Sequence, residues 1–189
     1  MAFQELKHKL LEKLEEEGCD KEVEQYLDLV NSVPELVTSS SCYGRIVLID
    51  LPDNTKKNAR FLWKKHRPVS FEEAWEALKA VEGKFVWFKA DSLILHISCK
   101  DVETADKFLK AKSRAGMKRG GIFSIAPERV QIELEGTYKM SVPVKKEEVL
   151  VDESYFRLLV EEANKKMEKN KRMWERFAEE FSEEFTVKK

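Results

Sequence analysis

With 189 residues, 42% of them hydrophobic and only 7 Gly and 5 Pro, the chain can bury a core, which excludes a disordered or low-complexity polypeptide. No apolar run approaches the roughly 20 residues of a membrane span, and the opening MAFQELKHKLLEKLEEEG has no signal-peptide apolar stretch, so a cytoplasmic protein is expected. Charged residues make up 37% of the chain but sum to −1, and three Cys at positions 19, 42 and 99 are too few and too scattered for a disulfide framework.

The first segment, Phe3 to Glu17, places Phe3, Leu6, Leu10 and Leu14 on one helical face, and Gly18 stops it. Asp20 is placed to cap a second helix with the stripe Val23, Tyr26, Leu27 and Val30, ending before Pro34. Strands are predicted at Leu36 to Ser40 and Arg45 to Leu51, on either side of a Ser-rich turn. A polar loop from Pro52 to Asn58 and a strand from Ala59 to His66 follow. Ser70-x-x-Glu73 forms a capping box for a helix bearing Phe71, Ala74, Trp75, Leu78 and Val81, which Gly83 ends.

Lys84 to Lys89 and Leu93 to Cys99 read as a strand pair joined at Ala90-Asp91-Ser92. Asp101 then caps a helix carrying Val102, Ala105, Phe108, Leu109 and Lys112, closed by Gly116. Short strands are predicted at Gly121 to Ile125, Val130 to Leu134 and Tyr138 to Val142, before a helix from about Glu153 to Glu184. The order implies one α+β domain over 1–189: a helical segment 1–33, a core 34–150 with a mixed or largely antiparallel sheet flanked by helices, and a long C-terminal helix 151–186.

Charge is unevenly distributed. Between Asp53 and Glu72 the chain has no acid but Lys56, Lys57, Arg60, Lys64, Lys65 and Arg67; between Asp106 and Glu128 it has none but Lys107, Lys110, Lys112, Arg114, Lys118 and Arg119. Such segments suit a phosphate backbone, and equally suit a solvated surface paired with Glu-rich neighbours. Thr38-Ser39-Ser40-Ser41-Cys42-Tyr43-Gly44-Arg45 is unusual in a different way. Small hydroxyl side chains bury little apolar area, and each one left unpartnered inside costs about 1–3 kcal/mol, so the run suits a ligand better than a core. Gly44 permits close backbone approach, and Arg45 offers a forked cation for a carboxylate or phosphate.

No phosphate-loop, nucleophile-elbow or dinucleotide-binding glycine signature is present. His66 closes a strand, and His96 interrupts the apolar run Leu93 to Ile97, where a hydrogen-bonded structural role competes with that of a proton acceptor. Cys42 becomes a nucleophile only if a His lies beside it. Cys42, His66, His96 and Cys99 lack the short paired spacings of structural zinc, so no metal is expected. Trp63 stands among Lys64, Lys65 and His66, placed either to stack on a base or to enter the core.

Taken in order, SSSCYGRI, FLWKKHRPV, FKADSLILHISC and AKSRAGMKRGGI resemble the third enzyme family of the wybutosine-synthesis pathway, including its stand-alone archaeal-type form, over Val37 to about Ile125. The resemblance implies an S-adenosylmethionine-dependent methyltransferase that modifies the N4 ring nitrogen of a 7-aminocarboxypropyl-demethylwyosine-type base, 3′ of the anticodon in phenylalanine tRNA. It also implies a methyltransferase without the Rossmann signature. Carried onto this chain, the methyl-donor residues are Ser39, Ser40, Ser41, Cys42, Gly44 and Arg45, and the candidate general bases are His66 and His96. Substrate-binding candidates are Trp63, Lys64, Lys65, Lys89, Lys118, Arg119, Gly120 and Gly121, with the anticodon stem-loop as partner. Two other classes stay open: a non-catalytic tRNA-binding module and a hydrolase built on Cys42.

Overall fold

The computed structural model describes residues 2–53 and 57–186; Lys56 of the first basic segment, and with it part of the expected loop Pro52 to Asn58, lies outside them. Among the described residues, thirteen elements follow one another: α1 (Ala2–Glu17), α2 (Lys21–Asn31), β1 (Leu36–Cys42), β2 (Arg45–Asp50), β3 (Arg60–Lys65), α3 (Phe71–Ala80), β4 (Phe85–Asp91), β5 (Ile94–Cys99), α4 (Val102–Arg114), β6 (Ile122–Ala126), β7 (Arg129–Glu135), β8 (Met140–Lys146) and α5 (Glu153–Glu184). This is an α+β chain in which every strand pairing is antiparallel, and its layout is not that of a Rossmann-type enzyme.

The strands form two four-stranded sheets, β1-β5-β7-β6 and β3-β2-β4-β8. The strand pair expected across Ala90-Asp91-Ser92 does not form: β4 pairs with β2 and β8, and β5 with β1 and β7. Asp91-Ser92-Leu93 has no Gly or Asn for the positive φ of a tight hairpin, and Leu93 is buried, so the link passes from one sheet to the other. The expected Ser-rich turn is also absent. β1 continues through Cys42, and only Tyr43-Gly44 separates it from β2, with Gly44 at φ +108°. The last strand lies further along than expected, at Met140–Lys146.

The contacts divide the chain into two compact units: Met1–Tyr43 with Leu93–Thr137 and Lys171–Lys189, and Gly44–Ser92 with Tyr138–Asn170. In the first unit, alternation puts Leu95, Ile97, Val130, Ile132 and Leu134 on the buried face of the sheet. Phe108 of α4 meets Phe177 and Phe181 at 5.6 and 6.1 Å between ring centres, while Trp174 stacks on Tyr26 at 4.9 Å and donates its indole N–H to the Tyr43 carbonyl. Asp101 caps α4 as expected, accepting from the Thr104 N–H at 2.8 Å. Asp20 does not cap α2 with its side chain; its carboxylate accepts from the Tyr43 backbone N–H instead.

In the second unit, residues Ile46–Asp50 of β2 are all buried, as a central strand covered on both faces should be. Phe71, Trp75 and Phe156 pack together, and Phe156 meets Phe88 of β4 edge-on at 5.1 Å. Ser70 caps α3 by accepting from the Glu73 N–H at 3.1 Å, and the Glu73 carboxylate binds both guanidinium nitrogens of Arg67. The apolar stripe of α5 is thus shared out: Phe156 serves the second unit's core, and Trp174, Phe177 and Phe181 serve the first.

Candidate functional site

In the first unit, β1, α1 and α2 enclose a cavity of about 510 Å³ whose walls include Ser39, Ser40 and Ser41. Leu10, Leu14 and Leu27 give it an apolar side, and Lys13, Glu17 and Asp20 bring charges of both signs. Its volume lies within the range of small-molecule sites. The hydroxyls are presented by a β-bulge: the pairing of β1 with β5 slips between Thr38 and Ser40, leaving Ser39 as the extra residue. Bulges bend an edge strand and re-aim its side chains, and they recur beside active sites.

One step across the ladder, Ser40 stands opposite His96, and His96 stands opposite Glu133. The side chains connect in the same order. Ser40 Oγ lies 3.2 Å from His96 Nδ1, and His96 Nε2 lies 2.9 Å from Glu133 Oε2. An ionised carboxylate only accepts hydrogen bonds, so it assigns the imidazole proton to Nε2 and leaves the Nδ1 lone pair facing the Ser40 hydroxyl. The row lies on the open face of the sheet, because alternation buries Leu95 and Leu134 and leaves His96 and Glu133 half-exposed. Ser40 therefore belongs both to the cavity wall and to a base of defined tautomer.

The Lys118 to Gly121 segment is held against the same row. Gly120 has φ +80°, and a Cβ added there would lie 2.1 Å from the Glu133 carbonyl oxygen, so only glycine fits. The Glu133 N–H donates to the Gly121 carbonyl at 3.0 Å. From the other side, the buried Lys112 ammonium donates to the carbonyls of Arg119 and Gly120 at 2.7 and 2.8 Å, and burial pulls its pKa down. Lys112 is thus a structural clamp and no part of a basic surface, while Lys118 and Arg119 are exposed. Beyond them Phe123, the extra residue of a second bulge in edge strand β6, turns its ring edge-on to His96 at 5.8 Å.

The remaining sequence-predicted residues, Gly44, Arg45, Trp63, Lys64, Lys65, His66 and Lys89, belong to the second unit. Arg45 Nε donates to Asp91 at 3.0 Å, its guanidinium lies over the Phe61 ring at 4.5 Å, and Lys89 reaches Asp91 at 3.7 Å. Lys65 pairs with Glu73 at 3.4 Å, and Arg60 donates to the buried Asp50. Lys64 on edge strand β3 is exposed, and Trp63 beside it is half-buried. Cys42 in the first unit is half-buried at the end of β1, opposite Ile94, on the face of the sheet that carries Ser40 and His96.

A family model, Methyltransferase TYW3, matches residues 1–183. The chain belongs to that family. A relative from Methanocaldococcus jannaschii, named tRNA(Phe) 7-((3-amino-3-carboxypropyl)-4-demethylwyosine(37)-N(4))-methyltransferase, is 35% identical over 190 residues, covering 97% of this chain and 98% of its own. A relative of the same name from Thermococcus sibiricus is 34% identical over 84% of this chain and 81% of its own. Among solved structures, the PH1069 protein from Pyrococcus horikoshii superposes with a TM-score of 0.89 at 32% identity, covering 95% of each chain. A hypothetical protein from Aeropyrum pernix gives 0.76 at 30% identity, over 87% of this chain and 98% of its own.

Within this TYW3 methyltransferase, sequence reasoning missed Glu133 and Phe123. Glu133 reads as one of several polar residues alternating along β7, and only its register opposite His96 sets it apart. Phe123 reads as a strand apolar residue, and its one sequence signal is that it follows Gly120-Gly121-Ile122 at the end of a basic segment.

Proposed function

We propose that this protein transfers a methyl group from S-adenosylmethionine to the N4 ring nitrogen of a 7-(3-amino-3-carboxypropyl)-4-demethylwyosine-type base, 3′ of the anticodon in cytoplasmic phenylalanine tRNA. The observation that carries this reading is Ser40, which lines the cavity and hydrogen-bonds the oriented His96. The cavity offers what the donor's parts require: leucines for a purine, serine hydroxyls for polar edges, and Lys13 beside Glu17 and Asp20 for the opposite charges of an amino-acid end.

The chemistry is a displacement at carbon. The N4 lone pair forms the new N–CH3 bond as the sulfonium S–CH3 bond breaks, leaving a neutral thioether. The N4 proton passes to Ser40 Oγ, whose own proton moves to His96 Nδ1, and Glu133 balances the imidazolium that results. Positioning supplies much of the acceleration, and one acid–base partner typically adds about 10²–10⁴-fold. Exposed Lys118 and Arg119 in the first unit, and Lys64 in the second, suit RNA phosphates.

The test is nucleoside mass analysis of phenylalanine tRNA carrying the demethylated tricyclic base, after incubation with the protein and S-adenosylmethionine. A gain of one methyl on that base is expected, with kcat reduced at least about 10²-fold in His96→Ala. No gain, with the tRNA still bound in a salt-dependent way, would leave a tRNA-binding module. Unchanged turnover in His96→Ala would remove the base.

A further inference from the structure

We infer that Phe123 is the stacking platform on which the acceptor base rests while its ring nitrogen is methylated. The inference rests on the function proposed above and names the contact that selects a planar, purine-derived heterocycle. Phe123 is 57% exposed on the edge strand β6, an apolar exposure that the packing of the first unit does not require. The β-bulge between Ile122 and Ser124 re-aims it, and its ring meets His96 at 5.8 Å with an interplanar angle of 69°.

With the residue 57% exposed, its T-shaped contact with His96 leaves a ring face for a second partner. A base stacked on that face lies roughly perpendicular to the imidazole plane. A base so placed lies beside the imidazole that hydrogen-bonds Ser40. The alternatives for the open face are weaker. Aliphatic ligands gain nothing specific from an aromatic face, whereas every nucleobase has a π-face to offer it.

The neighbourhood fits an extruded nucleotide. Lys118 and Arg119 are exposed just before the strand, Arg119 lies 3.9 Å from Glu135, and Gly120 keeps the backbone flat on β7 where a side chain would collide with Glu133. Cations beside an exposed aromatic are the pairing that holds an unstacked base and its phosphate together.

The experiment compares the wild type with Phe123→Ala, Phe123→Leu and Phe123→Trp. An anticodon stem-loop RNA bearing the tricyclic base is used for affinity and for methyl-transfer kinetics, and stabilisation by S-adenosylhomocysteine serves as the check on fold and donor site. Phe123→Ala should raise KM and Kd for the RNA about 10–100-fold, with donor binding and kcat little changed. Phe123→Trp should restore affinity, and Phe123→Leu, of similar bulk but without a π-face, should not. Wild-type affinity in Phe123→Ala, or rescue by Leu as good as by Trp, overturns the inference. So does a change in solution mass without a change in RNA affinity, which would make the strand edge a contact between copies of the chain. A wild type that binds the RNA but transfers no methyl sinks the proposed function alone, since the Phe123 comparison is then read on affinity; one with no affinity for the RNA overturns both.

Discussion

The two sheets have the same strand number and the same antiparallel pairing, yet they use their side chains in opposite ways. The first carries Ser40, His96 and Glu133 in a line across three strands on an open face. The second buries β2 from Ile46 to Asp50, and most of its charges sit at strand ends or on edge strand β3. Proton transfer needs a lone pair that a substrate can reach, and a central strand covered on both faces has none to offer. On the proposed reading the first sheet carries the chemistry, while the second displays cations at its margins.

The sharpest way to break this contrast is Gly120→Ala. The added Cβ would lie 2.1 Å from the Glu133 carbonyl and force an L-residue to φ +80°, so a loss of about 3–4 kcal/mol is expected in denaturant unfolding. Donor binding should fail with it if the row and the cavity are one site. By contrast Gly18→Ala has open space around its Cβ and carries only the strain of φ +70°, about 1 kcal/mol. Equal losses in the two variants would mean that the backbone at Gly120 yields and does not fix the row.

Next is Asp50→Ala in the second sheet. Burial raises this carboxyl's pKa, but the Phe85 N–H at 2.9 Å and the Arg60 guanidinium at 3.1 Å outweigh it and hold the group below its ordinary range. Removing it leaves a buried N–H and a cation without their acceptor, a loss of about 2–3 kcal/mol measured by thermal unfolding. Methyl transfer at a temperature where the variant is folded should persist, and its abolition there would contradict a scaffold role.

A third effect is titratable and absent at neutral pH. Burial pushes the Cys99 thiol of the first sheet from 9.0 up to about 12. Because the folded pKa is raised, the unfolded chain gives up its proton first, so stability is full below about pH 9 and falls as pH rises toward 12. The slope reaches at most about 1.4 kcal/mol per pH unit. The wild type should therefore lose Tm faster than Cys99→Ala between those limits, and parallel curves would show that the thiol is hydrated. Cys99 should also resist alkylation under native conditions, where exposed Cys19 reacts.

Much of the fold was legible in the chain. The recurrence of Tyr155, Phe156, Leu159, Val160, Ala163, Met167, Trp174, Phe177 and Phe181 marks α5 to its observed bounds, because a 3.6-residue repeat that long has no competing reading, although Tyr155 itself is exposed. Caps at Ser70 and Asp101 were legible for the same local reason. Asp20 was not, since nothing in its neighbours tells that the Tyr43 N–H takes its carboxylate. Of the candidate site, the strand was legible as far as Ser40, but its continuation through Ser41 and Cys42 was not. Serines extend readily once a partner such as β5 supplies the ladder, and the partner lies more than fifty residues away.

The sequence by itself determined the helices, the caps of α3 and α4, the α+β class, the two acid-free basic segments and the motifs that tie the chain to its family. Each of these depends on residues within a turn or two of one another. Only the tertiary structure decided that β4 and β5 part into different sheets, that Lys112 clamps carbonyls instead of facing solvent, and that Glu133 and Phe123 join His96. The last of these depends on strand register and on a bulge, where a slip of one residue would turn His96, Glu133 or Phe123 to the other face.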